Sequence, residues 1–171
     1  MEPVSVEQAS EKTSGEAPRV DRRKSIEGTL RKLVDERQEV LVQFCQLAGV
    51  TASDQIDEED DEDDVGFQPK ARDLEGFCEV LMDYLGSGHF ELYQRIIDGH
   101  ERRHGVLRAA QQFYPTISDT TQFLVEFNDK YEKFDGSAEE CQALRADLNK
   151  VGKAISLRSD FEDKILSALR G

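Results

Sequence analysis

No apolar stretch in this 171-residue chain approaches the roughly 20 residues that a membrane-crossing helix needs. A membrane-spanning helix is therefore excluded. The start, Met1-Glu2-Pro3-Val4-Ser5, has no basic region leading into an apolar run, so no signal peptide is expected. Cysteine is scarce: Cys45, Cys78 and Cys141 make an odd number and form no Cys-x-x-Cys pair. That argues against a disulfide framework and for reduced, buried thiols in a cytoplasmic protein. Basic residues are also in deficit, with 22 Lys and Arg against 36 Asp and Glu and a net charge of -14. Binding to nucleic acid or to anionic lipid needs clustered Lys and Arg, so neither is expected. An acidic surface instead attracts a basic partner, fastest at low salt. No strand-like alternation of useful length and no internal repeat occur, which leaves helices.

The helices are legible from apolar spacing. Residues 1–22 are rich in Glu and Ser and are expected to be a disordered polar tail. Residues 23–171 form one domain. Its first helix carries Leu30, Leu33, Val34, Leu41, Phe44 and Ala48, and Gly49 stops it. An acidic linker spans 51–69. Its core, Asp57 to Asp64, is an unbroken acidic run that could steer a basic partner. Read as a calcium loop starting at Asp61, it fails, because Arg72 falls where a bidentate Glu is required. The second helix carries Leu74, Phe77, Cys78, Leu81, Met82 and Leu85. Gly86-Ser87-Gly88 predicts a kink or break there. The pattern resumes at Phe90, Tyr93, Ile96 and Ile97 and meets Gly99. Val106 to Phe113 reads as a short helix, with Pro115 opening the next segment through Phe123, Leu124, Phe127, Tyr131 and Phe134. Ser137 and Glu140 have capping-box spacing. The last helix repeats Leu144, Leu148, Val151, Ile155, Ile165 and Leu169 close to a heptad. The expected fold is all-α, an antiparallel four-helix bundle with a kinked second helix.

Few motifs point to catalysis. His100-Glu101-Arg102-Arg103-His104 matches the His-Glu-x-x-His of zinc hydrolases, in which Glu is the general base. Gly99 and Gly105 bracket it, two arginines fill it, and nothing designates a third ligand. A charged helix end explains it better. Cys78 and His89 could be paired as nucleophile and base, yet no orienting carboxylate or oxyanion hole is placed. Gly86-Ser87-Gly88 lacks the Lys and the preceding strand of a phosphate cradle. No enzyme, metal or cofactor is expected. Arg158 sits in the apolar seam of the last helix and must be paired. Either an internal salt bridge fixes helix register, or a charged pocket opens there, lined also by Asp83.

The run Phe77-Cys78-Glu79-Val80-Leu81-Met82-Asp83-Tyr84-Leu85-Gly86-Ser87-Gly88-His89-Phe90-Glu91-Leu92-Tyr93 resembles the central helix of the Rsd/AlgQ family of bacterial anti-sigma proteins. The family pattern there is close to Phe-Cys-x-x-Leu-x-Asp-Tyr-x-Ser-Ala-Gly-His-Phe-x-x-Tyr. Arg37 with Leu47-Ala48-Gly49, Arg108-Ala109-Ala110 with Pro115, Thr121 and Gln122, and Leu148, Gly152, Arg158 and Glu162-Asp163-Lys164 resemble the other helices. The likeness spans about 28–170. Two departures stand out: Arg31-Lys32-Leu33-Val34 replaces the family's Asp-Arg-Trp-Leu, and Gly86 replaces a Ser. The resemblance implies an anti-sigma factor that binds region 4 of the primary sigma factor and sequesters it from core RNA polymerase and promoter DNA. It implies partner contacts at Asp83, Gly86, Phe90 and Tyr93, supported by Arg37 and Gln122. It also allows a signalling adaptor that binds a phosphocarrier or an alarmone enzyme.

Overall fold

The computed structural model describes residues 19–49, 67–100 and 102–171, with the side chains of 19–27, His89, Phe90, Ile97 and His100 excepted. It is all-α. Helix α1 spans Arg19–Leu47, α2 Ala71–Gly86, α3 His104–Lys130 and α4 Ala138–Arg170. No strand occurs among the described residues. Each sequence neighbour pairs antiparallel. Phe44 meets Phe77 while Lys32 meets Glu91; Phe77 meets Phe127 while Tyr93 meets Tyr114; Tyr131 meets Asp147 while Phe113 meets Phe161. Arg37 on α1 reaches Ser159 and Asp163 on α4, which closes the bundle.

Side-chain spacing explains which face turns inward. Along α4 the buried positions are Cys141, Leu144, Leu148, Val151, Ile155, Arg158, Glu162, Ile165, Leu166 and Leu169. Apart from Leu166, which widens the stripe near its end, they follow three- and four-residue steps, the seam of a left-handed bundle. On α1 the buried residues among the described side chains are Leu30, Leu33, Val40 and Leu47. Arg37 and Phe44 fill the intervening seam steps. Val40 thus holds the inward place that the apolar spacing gave to Leu41, which is 36% exposed. The amide of Ser137 does not complete the expected capping box. Ser137 Oγ accepts from the Glu140 amide, but the Glu140 carboxylate accepts from Asp135 N, and Ser137 N donates to Asp135. The reciprocal cap is displaced by two residues and still serves the orphan donors.

Three boundaries differ from expectation. Helix α1 already begins at Arg19, inside the segment expected as tail; residues 1–18 and the acidic run at 57–64 lie outside the described residues. Pro115 does not start a helix but sits inside α3. The carbonyl its missing N–H would have met belongs to Gln111, an exposed position that water can serve. Gly86-Ser87-Gly88 does not break the chain either. Ser87 stays in the α-helical region (φ -61°, ψ -45°), and the helix continues in wider π turns over Ser87–Tyr93 and again over Ile96–His100. The break comes at Gly99, whose φ of 81° is left-handed and suits glycine. Of the cysteines, all free, Cys141 is buried as expected, but Cys78 is only half-buried and Cys45 is exposed on α1.

Candidate functional site

Arg158 and Glu162 occupy successive seam positions of α4, and both are 0% exposed. A four-residue helical step brings them together, with Arg158 Nε donating to Glu162 Oε1 at 3.0 Å. The remaining helices each contribute to this layer. From α2, Tyr84 donates its hydroxyl to Glu162 Oε2 at 2.6 Å, and its ring lies under the guanidinium, 5.2 Å away. From α3, Arg158 Nη1 is received by the Ile117 carbonyl and the hydroxyls of Thr120 and Thr121. From α1, Arg37 lies 3.6 Å from Glu162 and pairs with Asp163 at 2.8 Å. The Arg158 seam position therefore holds the internal salt bridge, and Asp83 does not line it: Asp83 is exposed.

The electrostatics follow from this packing. Burial opposes the charge of Arg158, but the Glu162 carboxylate together with Tyr84 and Tyr93 outweighs it and the guanidinium pKa is raised. Burial, then the charge of Glu162, holds the Tyr84 hydroxyl well above the usual phenol range. Tyr93 is shifted the same way by the same two causes. The Arg158 Nη2 and Tyr93 hydroxyl atoms are buried without a hydrogen-bond partner among the described residues. Both border Gly88. A Cβ placed on Gly88 would stand 3.0 Å from Arg158 Nη2 and 3.4 Å from the Tyr93 ring.

Above this layer lies the outer face of the segment that the sequence singled out. Asp83 and Glu91 are exposed there, and Glu91 pairs with Lys32 of α1 at 2.9 Å. A hydrogen bond and charge from Glu91, with smaller contributions from Glu36 and Asp83, raise the pKa of Lys32. Gly86 is half-buried, with open space where a side chain would project. The Phe90 side chain lies outside the described residues. Tyr93 points the other way, into the core at 1% exposure. Arg37 also faces inward, held by Asp163 and Glu162. Gln122 is exposed on α3 and bonds to Glu126 one turn on. The structure thus places Asp83 and Gly86 on an outward face and puts Arg37 and Tyr93 beneath or beside it. Sequence reasoning did not assign Glu162, although the heptad step after Arg158 lands on it.

The alternatives to a binding surface find little support. Cys78 faces a groove of about 520 Å³ between α2 and the start of the α3–α4 loop. Burial pushes its thiol up to about 11, so it is protonated at neutral pH and not an activated nucleophile. His104 is exposed at the first residue of α3, while Glu101 and the His100 side chain lie outside the described residues. Among the described residues no cluster could hold a metal ion, and no helix is long and apolar enough to cross a membrane.

The chain is similar to known proteins along most of its length. Residues 16–170 match the family described as "Regulator of RNA polymerase sigma(70) subunit, Rsd/AlgQ". The chain is 30% identical over 144 residues to a protein of Yersinia enterocolitica named "Regulator of sigma D", covering 81% of each chain. It is 28% identical over 144 residues to the protein of that name from Yersinia pseudotuberculosis, covering 81% of this chain and 80% of the relative. The Salmonella arizonae relative, of the same name, is 30% identical over 143 residues, with 81% and 82% covered. The chain belongs to the Rsd/AlgQ family of regulators of the RNA polymerase sigma(70) subunit, regulatory proteins and not enzymes.

Proposed function

We propose that this protein binds region 4 of the primary sigma factor in the cytoplasm and sequesters it from core RNA polymerase and promoter DNA. Membership of a family of sigma(70) regulators carries the reading. The charge of the chain supports it. Region 4 is a basic helix-turn-helix that otherwise meets DNA phosphate, and a chain with a net charge of -14 attracts such a partner. The contact face is the outer side of α2 and its wide-turn continuation. Asp83 accepts from a basic or hydroxyl group on sigma. Gly86 leaves room for close approach, since no atom stands near its missing side chain. Phe90 is the apolar anchor. Gln122 adds a polar contact from α3. Arg37 and Tyr93 act from within, holding the helices that carry the face.

Titration of the protein with purified primary sigma factor at low salt tests this directly. A one-to-one complex is expected, lost when region 4 is deleted from sigma. Phe90→Ala should weaken it by about 2 kcal/mol or more, the scale of an anchor residue. Asp83→Lys should weaken it further at low salt than at high salt. Absence of any complex with the wild-type chain at low salt would overturn the proposal.

A further inference from the structure

We infer that the buried Arg158–Glu162 pair, acting through Tyr84 and Gly88, is the positioning element of the partner surface: it sets where α2 gives way to wide turns. This deepens the sigma-binding reading and rests on it for its biological meaning.

The change of winding is seen in the hydrogen-bonded turns, which widen over Ser87–Tyr93. The inward stripe itself runs on: Leu74, Phe77, Leu81, Leu85, Gly88, Leu92 and Ile96 are buried at three- and four-residue steps. Tyr93 is buried as well, five residues beyond Gly88, while Glu91 is exposed and pairs with Lys32. Five residues is the repeat of a π turn, one more than an α turn closes on. The wide turns thus carry Tyr93 inside beside Leu92 and leave Glu91 on the outer face.

The changeover falls over the ionic layer. Tyr84, on the last α turn, is tied to Glu162 at 2.6 Å. One turn later Gly88 passes so close to Arg158 Nη2 that an added Cβ would stand 3.0 Å from it. Arg158 has no freedom to yield, because Glu162, Ile117 and the two threonines hold its other nitrogens. An apolar layer would hold the helices together equally well. What it would lack is a rigid, polar stop at one height of α2. The pair supplies that stop, and the outer face from Asp83 to Glu91 takes its orientation from it.

Two substitutions in the layer and one outside it test this. Gly88→Ala presses a methyl on Arg158. Tyr84→Phe removes only the hydroxyl, so it folds even if Gly88→Ala does not. Gly152→Ala is the control: its Cβ would stand 2.9 Å from the Phe44 ring, far along the bundle from Gly88. Amide hydrogen exchange and backbone chemical shifts of 87–93 are read first, without any partner. Both layer variants should change them, and Gly152→Ala should not, although it lowers the melting temperature. Sigma binding is read second. Both layer variants should lose about tenfold in affinity, and the control should lose far less at a matched loss of stability. Unchanged shifts and exchange in both layer variants would overturn the inference, as would equal effects from Gly152→Ala. A wild-type chain that fails to bind sigma would sink the functional reading alone, since the exchange measurement stands without it.

Discussion

Two ion pairs of nearly equal length sit in very different places. Lys32 and Glu91 meet at 2.9 Å on the surface, with side chains about half exposed (51% and 46%). Arg158 and Glu162 meet at 3.0 Å with none of either side chain exposed. Distance alone would rate them equal. Water decides otherwise: it screens the first and does not reach the second. The surface pair can be lost at little cost to the fold. The buried pair has given up several kcal/mol of hydration per ion, so each charge depends on the other. The comparison teaches that the inner pair acts on specificity of the fold and the outer pair on the local field of the surface.

Breaking the inner pair is the largest effect expected. Glu162→Ala strands Arg158 and takes the acceptor from Tyr84, and thermal or denaturant unfolding should show a loss of about 3–5 kcal/mol. Replacing both partners by apolar residues, Arg158→Met with Glu162→Leu, should cost far less or even stabilise. The comparison breaks if the double variant is as unstable as the single one. Positioning of 87–93 should be lost in both, because neither keeps the polar stop.

A smaller effect follows from the hydroxyl that joins α2 to the layer. Tyr84→Phe removes a hydrogen bond to a carboxylate and should cost about 1.5–3 kcal/mol at neutral pH. The pH dependence has a definite sign. The folded-state pKa of Tyr84 is raised, so its contribution is complete below the ordinary value of 10.0 and falls as pH rises above it, where the unfolded chain ionises. Wild-type melting temperature should therefore drop on going from pH 9 to pH 11. The drop should be smaller in Tyr84→Phe, with the remainder shared by Tyr93, Tyr131 and Cys78, which are also raised, chiefly by burial. Equal drops in both proteins would mean that Tyr84 ionises as freely in the fold as out of it.

How far the sequence revealed these features depended on chemistry at each position. Leu144, Leu148, Val151 and Ile155 announce an inward stripe because apolar residues at heptad spacing have few other uses. Arg158 stood out as a charge within that stripe. Its partner did not, because Glu162 on a helix in an acidic chain looks like any exposed carboxylate until the three-dimensional seam is drawn. Arg37 misled in the same way. It completes the step between Leu33 and Val40, but a lone arginine reads as a surface residue. The glycines around Ser87 suggested a break by their propensity, a cost of roughly 1 kcal/mol each. Burial of Leu92, Tyr93 and Ile96 against the bundle outweighs that cost, so the helix winds on in wider turns. Tyr93 belonged to the family pattern as a site residue, and pattern position does not say which way a side chain faces.

The smallest effect expected lies at the outer pair, and it sharpens the contrast most. Lys32→Ala should leave the melting temperature essentially unchanged, since the Lys32 ammonium is half in water and its pair with Glu91 is screened. It should nevertheless alter the surface. Asp83 and Glu36 add to the pull of Glu91 on the Lys32 charge. Its removal takes a positive charge from beside Glu91, Glu36 and Asp83 on the proposed contact face. A basic partner should then associate faster, and the gain should vanish as salt rises and the Debye length shrinks to about 8 Å at physiological ionic strength. Stopped-flow association at two salt concentrations, beside a melting curve, measures both halves. A large fall in melting temperature would place the outer pair with the inner one. An unchanged association rate at low salt would instead move the contact face away from Asp83.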